Sequence, residues 1–290
     1  MALPPGRSTA ALSVAGEERS FIVDAPASAP RAVVLILHPS SQLVALDGDP
    51  LTPATHFEGR MASATERLRT NAVVAYLASR HVGNSYWCWG AGSDNGLCSA
   101  PVDGADGAFV EAVLNWVRAQ LAPTIPAYLF GYSGGARMAW RLACDAGVAP
   151  LFDGMAIASG LLAADLRQPP PAGCALGTLP RLVVLHGDED ATTAVSNADA
   201  SVSWVADAAG CAVDATRDTS VDGELADVRD LSSCAAAPQP FALTYYRILG
   251  GRHSAPTAAW VDEIFYRNVR AARAARRAPP PPRSLQPQLD

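Results

Sequence analysis

Pro126-Ala-Tyr-Leu-Phe-Gly-Tyr-Ser-Gly-Gly135 is the stretch on which the reading of this chain turns. Residues 126–130 are apolar and aromatic, as suits a strand buried on both faces. Gly131-Tyr132-Ser133-Gly134-Gly135 then sets three glycines around one serine, and residues 134–147 carry the 3.6-residue apolar stripe of a helix. A serine at a sharp strand-to-helix turn needs such neighbours, because a Cβ there collides with the adjoining strand and helix. The turn lifts the hydroxyl clear of the sheet and points it at the helix N-terminus, whose unpaired N–H groups stabilise a developing oxyanion. Gly131-x-x-Gly134 does not fit G-x-G-x-x-G, so a dinucleotide phosphate loop is the poorer reading.

Outward from this stretch the same alternation continues. Ala32–Leu37, Asn71–Leu77, Met155–Ala158, Arg181–Leu185 and Phe241–Leu249 read as further buried strands, and 106–121, 196–208 and 256–273 as amphipathic helices. Strands alternating with helices predict a mostly parallel central sheet with helices on both faces, an α/β fold. One domain over residues 19–275 accounts for the pattern. Residues 1–18, small and polar, read as a flexible N-terminal segment, and 276–290 as a Pro-rich C-terminal tail.

Composition narrows the function classes. At 49% hydrophobic and 17% charged residues, the 290-residue chain is no disordered polymer. A net charge of −6 argues against nucleic acid and anionic membrane as partners. All 22 basic residues are arginine, which excludes Schiff-base and P-loop lysine chemistry. No run of about 18 apolar residues is present to span a membrane. The first residues lack a basic region followed by an apolar core, so no secretory signal is visible. The six cysteines contain no C-x-x-C pair, which disfavours zinc and favours three disulfides and a secreted or periplasmic location. Cys88 and Cys98 bracket a short loop of glycine and polar residues. Cys211 and Cys234 bracket a stretch rich in Asp, Ser and Thr. Cys144 and Cys174 pair as the remainder.

Parallel sheets bind ligands beyond the carboxyl ends of their strands, so chemistry is sought in the loops there. Four such loops gather polar residues and glycine: His38-Pro39-Ser40-Ser41, the Ser133 turn, His186-Gly-Asp-Glu-Asp190 and Gly250-Gly-Arg-His253-Ser254. A serine hydroxyl needs a base, itself oriented by a carboxylate. His253, in a glycine-rich loop, is the candidate base. His38 and His186, closing strands, read as structural. The acid lies among Asp188, Glu189 and Asp190, with Asp190 favoured and Asp188 second. Asp103 and Asp106 read as helix N-terminal carboxylates.

Over roughly residues 19–265 the chain resembles the α/β-hydrolase esterases of the polyhydroxybutyrate-depolymerase and feruloyl-esterase group. The resemblance rests on ordered blocks: Leu37-His38, Cys88-Trp89, the Asp106-to-Trp116 helix, Gly131–Gly135 with Met138 and Ala139, Leu142-Ala-Cys144, His186–Asp190, Gly210-Cys211, Cys234 and Gly250–His253. It implies the α/β-hydrolase fold, Ser133 as nucleophile, Asp190 as acid through the form His-Gly-x-x-Asp, and His253 as base through Gly-Gly-x-His. The chain departs from the group at Pro39, where a glycine is usual. Proline has no N–H to donate, so the expected oxyanion hole is the Gly134 and Ser40 amides, with Ser41 as a side-chain helper. Trp87, Trp89 and Tyr132 are the candidate pocket-lining aromatics.

The expected activity is that of a serine carboxylesterase working through an acyl-enzyme, with no cofactor or metal. The resemblance implies short hydroxyalkanoate esters or feruloyl and acetyl esters of plant walls as substrates, small or polymeric. A peptidase or acyltransferase with the same triad, or an inactive hydrolase-like binding protein, are the competing readings.

Overall fold

The computed structural model describes residues 3–40, 49–82, 86–91, 103–167, 174, 181–235 and 241–265. Its core is a run of six parallel strands: β3 (Ala32–Leu37), β4 (Ala72–Leu77), β7 (Ala127–Tyr132), β8 (Gly154–Ala158), β9 (Arg181–Gly187) and β14 (Ala242–Ile248). An antiparallel hairpin extends the sheet at each end. On one side stand β1 (Gly6–Val14) and β2 (Glu17–Ala25), on the other β11 (Ala215–Val221) and β12 (Glu224–Leu231). The ten strands lie in the order β1-β2-β4-β3-β7-β8-β9-β14-β12-β11. Two small ribbons pair β5 (Arg80–Val82) with β6 (Tyr86–Cys88), and β10 (Cys211–Ala212) with β13 (Ser233–Cys234).

Because side chains alternate along a strand, each buried strand feeds two cores. Val33, Leu35 and Leu37 face one side, with α2 (Ala105–Gln120), α3 (Gly134–Ala143) and α4 (Val195–Ala209) packed against it. Val34 and Ile36 face the other, covered by α1 (Thr52–Arg69) and the helical residues 258–265, with Trp260 and Ile264 buried. The fold expected from the alternation is the fold observed. Of the helix expected over 256–273, residues 266–273 lie outside the described residues, as does the tail expected over 276–290.

Residues 1–18 differ from expectation. From Gly6 to Val14 they form a strand and not a flexible segment: β1 pairs with β2 over nine residue positions. Ala15 and Gly16 both take positive φ, the two-residue turn that matches strand twist in a hairpin. β1 reads as polar because it is an edge strand, yet Ala10, Leu12 and Val14 alternate onto the core. Two more elements carry signals the sequence reading passes over. In α1, Phe57, Met61, Ala64 and Leu68 make a buried stripe behind Pro53 near its start. Asp222-Gly223, both at positive φ, turns β11 into β12.

Disulfides Cys211–Cys234, expected from the stretch it brackets, and Cys144–Cys174, expected as the remainder, are both formed. Cys88 is disulfide-bonded, and its expected partner Cys98 lies outside the described residues.

Two buried polar groups fix the loops that leave β3 and β4. Arg19 and Asp106 form an ion pair at 2.8 Å, 5% and 2% exposed, with the guanidinium over the Phe109 ring. Asp106 also accepts the Gly90 amide, and Arg19 donates to the Ala78 carbonyl. His38, 1% exposed, accepts the Ser79 amide on Nε2, so its proton sits on Nδ1, donated to the Pro39 carbonyl. Burial pushes its pKa down to about 4.

Removing one partner of a buried pair strands the other's charge. Asp106→Leu is expected to cost about 3–5 kcal/mol in urea denaturation, with much of the loss regained in the Arg19→Met, Asp106→Leu double variant. His38 binds its proton less readily folded than unfolded. Its contribution, about 3 kcal/mol when fully expressed, is present above pH 6.5 and lost as the pH falls toward 4. Thermal melts across that range test this, because His38→Gln lacks this part of the acid sensitivity.

Candidate active site

Ser133 is the hinge between β7 and α3. Its backbone stands at φ 52°, ψ −112°, a region costly for any side chain but glycine. Two hydrogen bonds hold it there: the Ser133 amide donates to the Ala158 carbonyl of β8, and its carbonyl accepts the Arg137 amide of α3. The glycines permit the close approach. A Cβ on Gly131 would lie 2.2 Å from the Gly135 carbonyl oxygen, and one on Gly135 would lie 2.2 Å from that of Leu37.

Loops after β9 and β14 bring the other two groups to this hinge. Ser133 Oγ lies 2.9 Å from His253 Nε2, and His253 Nδ1 lies 2.7 Å from Asp190 Oδ2. A carboxylate only accepts, so Nδ1 carries the proton and Nε2 is free to receive the serine's. The Asp190 side chain is fully buried and its Oδ1 accepts the Thr192 and Thr193 amides at 2.8 and 2.7 Å. Asp188, the second candidate acid, instead accepts the Gly250 amide at 2.7 Å and ties the two loops together. The sequence reading assigned no part to Thr192 and Thr193. An Asp followed two residues later by Thr-Thr is the signature of such a turn.

Ser40 lies against Gly134: a Cβ on Gly134 would fall 2.6 Å from the Ser40 nitrogen and 2.1 Å from its Oγ. The two residues expected to form the oxyanion hole are therefore neighbours beside Ser133. Ser41 lies outside the described residues.

The three aromatics expected to line a pocket are each largely buried. Trp89 is 3% exposed, packs in the core, and donates its indole N–H to the His38 carbonyl at 2.9 Å. Trp87 is 5% exposed. Tyr132, 3% exposed, stacks on Phe57 beneath His253 and donates to the His253 carbonyl at 3.2 Å; burial pushes its pKa up to about 12. Trp89 closes over the end of β3, and Tyr132 is the last residue of β7. A cleft beside the His253 loop is lined by Ser159, Gly187, Arg252, Ser254 and Trp260. Among the described residues, no group of three His, Cys, Asp or Glu is placed to hold a metal ion, and no helix is long and apolar enough to cross a membrane.

No protein-family model matches the chain, and no curated protein matches it in sequence. Solved structures do resemble it. One is an α/β serine hydrolase without a lid from Xanthomonas campestris, 17% identical, covering 97% of this chain and 100% of that one at a TM-score of 0.52. A carboxylesterase from Bacillus cereus is 13% identical, covering 87% of this chain and 94% of its own, TM-score 0.52. An α/β serine hydrolase homologue from Coxiella burnetii is 14% identical, covering 94% and 99%, TM-score 0.51. At such identities the likeness is one of fold, and with the parallel sheet, the helices on both faces and the serine hinge it establishes that this chain has the α/β-hydrolase fold.

Proposed function

We propose that the protein is a serine carboxylic-ester hydrolase in which Ser133, His253 and Asp190 form the catalytic triad. The observation that carries this is the unbroken hydrogen-bond line from Ser133 Oγ through His253 to the buried Asp190, drawn from three separate strand ends. In this reading Ser133 Oγ attacks the ester carbonyl while His253 Nε2 takes its proton. Asp190 stabilises the imidazolium and holds the tautomer. The Gly134 and Ser40 amides receive the oxyanion. His253 returns the proton to the departing alcohol, and water then cleaves the acyl-enzyme by the same steps in reverse.

Short hydroxyalkanoate esters and feruloyl or acetyl esters of plant walls are the substrate classes favoured, on the strength of the sequence blocks at Gly131–Gly135, His186–Asp190 and Gly250–His253. The naming of one structural neighbour as a carboxylesterase agrees with ester chemistry. The two disulfides among the described residues, and the disulfide-bonded Cys88, support an exported location, in an oxidising compartment.

A fluorophosphonate probe is expected to label Ser133, and a panel of p-nitrophenyl esters, methyl ferulate, acetylated xylan and polyhydroxybutyrate to reveal the preferred acyl group. Ser133→Ala and His253→Ala are each expected to lower kcat by about 10³-fold or more with the fold intact. Near-normal turnover by either variant on the best ester would sink the mechanism. Asp190→Asn is expected to lower kcat by about 10⁴-fold, because an amide favours the wrong imidazole tautomer. Asp188→Asn keeps an oxygen for the Gly250 amide and is expected to be mild. The reverse ranking in a kinetic comparison of the two would move the acid to Asp188.

A further inference from the structure

His186 is the buried imidazole that the proposed reaction leaves unused. It is 1% exposed, at the end of β9, four residues before Asp190. Its Nε2 lies 2.6 Å from the Thr193 carbonyl oxygen and 3.4 Å from Asp190 Oδ2. A carbonyl only accepts, so Nε2 carries the proton and Nδ1 is an acceptor. That Nδ1 is buried with no hydrogen-bond partner among the described residues. A buried unpaired acceptor is destabilising, a burden that a leucine of similar bulk would not carry. The ring's contribution therefore lies in its other nitrogen.

Nε2 closes a circuit around the acid. The Thr193 carbonyl is held by His186, while the Thr193 amide donates to Asp190 Oδ1 at 2.7 Å. The remaining carboxylate oxygen, Oδ2, then faces His253 Nδ1 at 2.7 Å. Thr193 is thus one of two amide donors, with Thr192, that set the orientation of the carboxylate toward the base. The charged and titratable groups around His186 are Asp190 and Asp199, which favour its protonation, and His253, which opposes it. Burial is the largest influence and holds its pKa below the ordinary value. A neutral ring leaves the Asp190 charge to His253, where a second cation would compete for it.

Building on the triad assignment above, we infer that His186 is a positioning residue for the Asp190–His253 couple, its Nε2–H fixing Thr193 and through it the orientation of the carboxylate. The test compares His186→Leu, which has no donor, with His186→Gln, whose amide nitrogen restores one. On p-nitrophenyl acetate, His186→Leu is expected to lower kcat roughly tenfold with KM within about twofold, and His186→Gln to recover most of the loss. The proton resonance of the His253–Asp190 hydrogen bond is expected to move in His186→Leu and to return in His186→Gln. Nitrogen NMR of the wild-type protein needs no variant, and is expected to show His186 as the neutral Nε2–H tautomer across about pH 6 to 8. A fully active His186→Leu with an unmoved resonance overturns the inference, as does a charged or Nδ1–H His186 in the wild type. If Ser133→Ala turns over ester like the wild type, the triad assignment itself falls. If Ser133→Ala is inert and His186→Leu fully active, only the positioning role falls.

Discussion

The strained backbone of Ser133 is the constraint around which the rest of the molecule is arranged. At φ 52°, ψ −112° the chain turns from the sheet into α3 within one residue. The cost of such a conformation, about 1–3 kcal/mol, must be met by surroundings that over-determine it. Here those surroundings are the β7–β8 ladder on one side, the first turn of α3 on the other, and glycines that let β3, β7 and α3 close to backbone contact. The hydroxyl is thus fixed by main-chain geometry, before any side chain comes near it.

The partners of Ser133 are fixed by a second close approach. The acid and base loops leave β9 and β14, which are neighbours in register, Gly187 opposite Ile248. A Cβ on Gly187 would lie 2.2 Å from the Gly251 carbonyl oxygen. The Glu189 amide donates to that same oxygen, the Asp188 amide to the Ile248 carbonyl, and the Gly250 amide to the Asp188 carboxylate. Asp190 and His253 therefore ride on one fastened unit. This separates the two acidic candidates physically: Asp188 serves the seam between the loops, and Asp190 faces the base.

Legibility in the sequence followed how much of each signal was local. The central strands were plain because strands buried on both faces are continuously apolar, as Ala32–Leu37 and Arg181–Leu185 are. Ser133, Asp190 and His253 were legible because each sits where a strand pattern stops and glycine begins. The hairpins were less so: β1 is half-exposed along its length and reads as polar, and β11 with β12 alternates charged and small residues. The burial of Trp87, Trp89 and Tyr132 was not legible, because a sequence does not show which side of a loop is covered. Nor does it show backbone donors, so the Thr192 and Thr193 amides that hold Asp190 left only the faint trace of an Asp-x-Thr-Thr run.

The topology of β14 has a consequence for biosynthesis. It is the last strand of the described sheet in chain order, yet it does not add to an edge; it lies between β9 and β12. Ser133 is complete as soon as β7, β8 and α3 have docked, but its hydrogen-bonding partner lies 120 residues further along the chain. Contacts of such sequence separation form late, because their loop-closure entropy must be met first. Ser133 therefore stands without His253 until β14 pairs with β9 and brings the loop that follows it to the hinge. On the mechanism proposed above, strand order alone keeps the nascent chain inert until then.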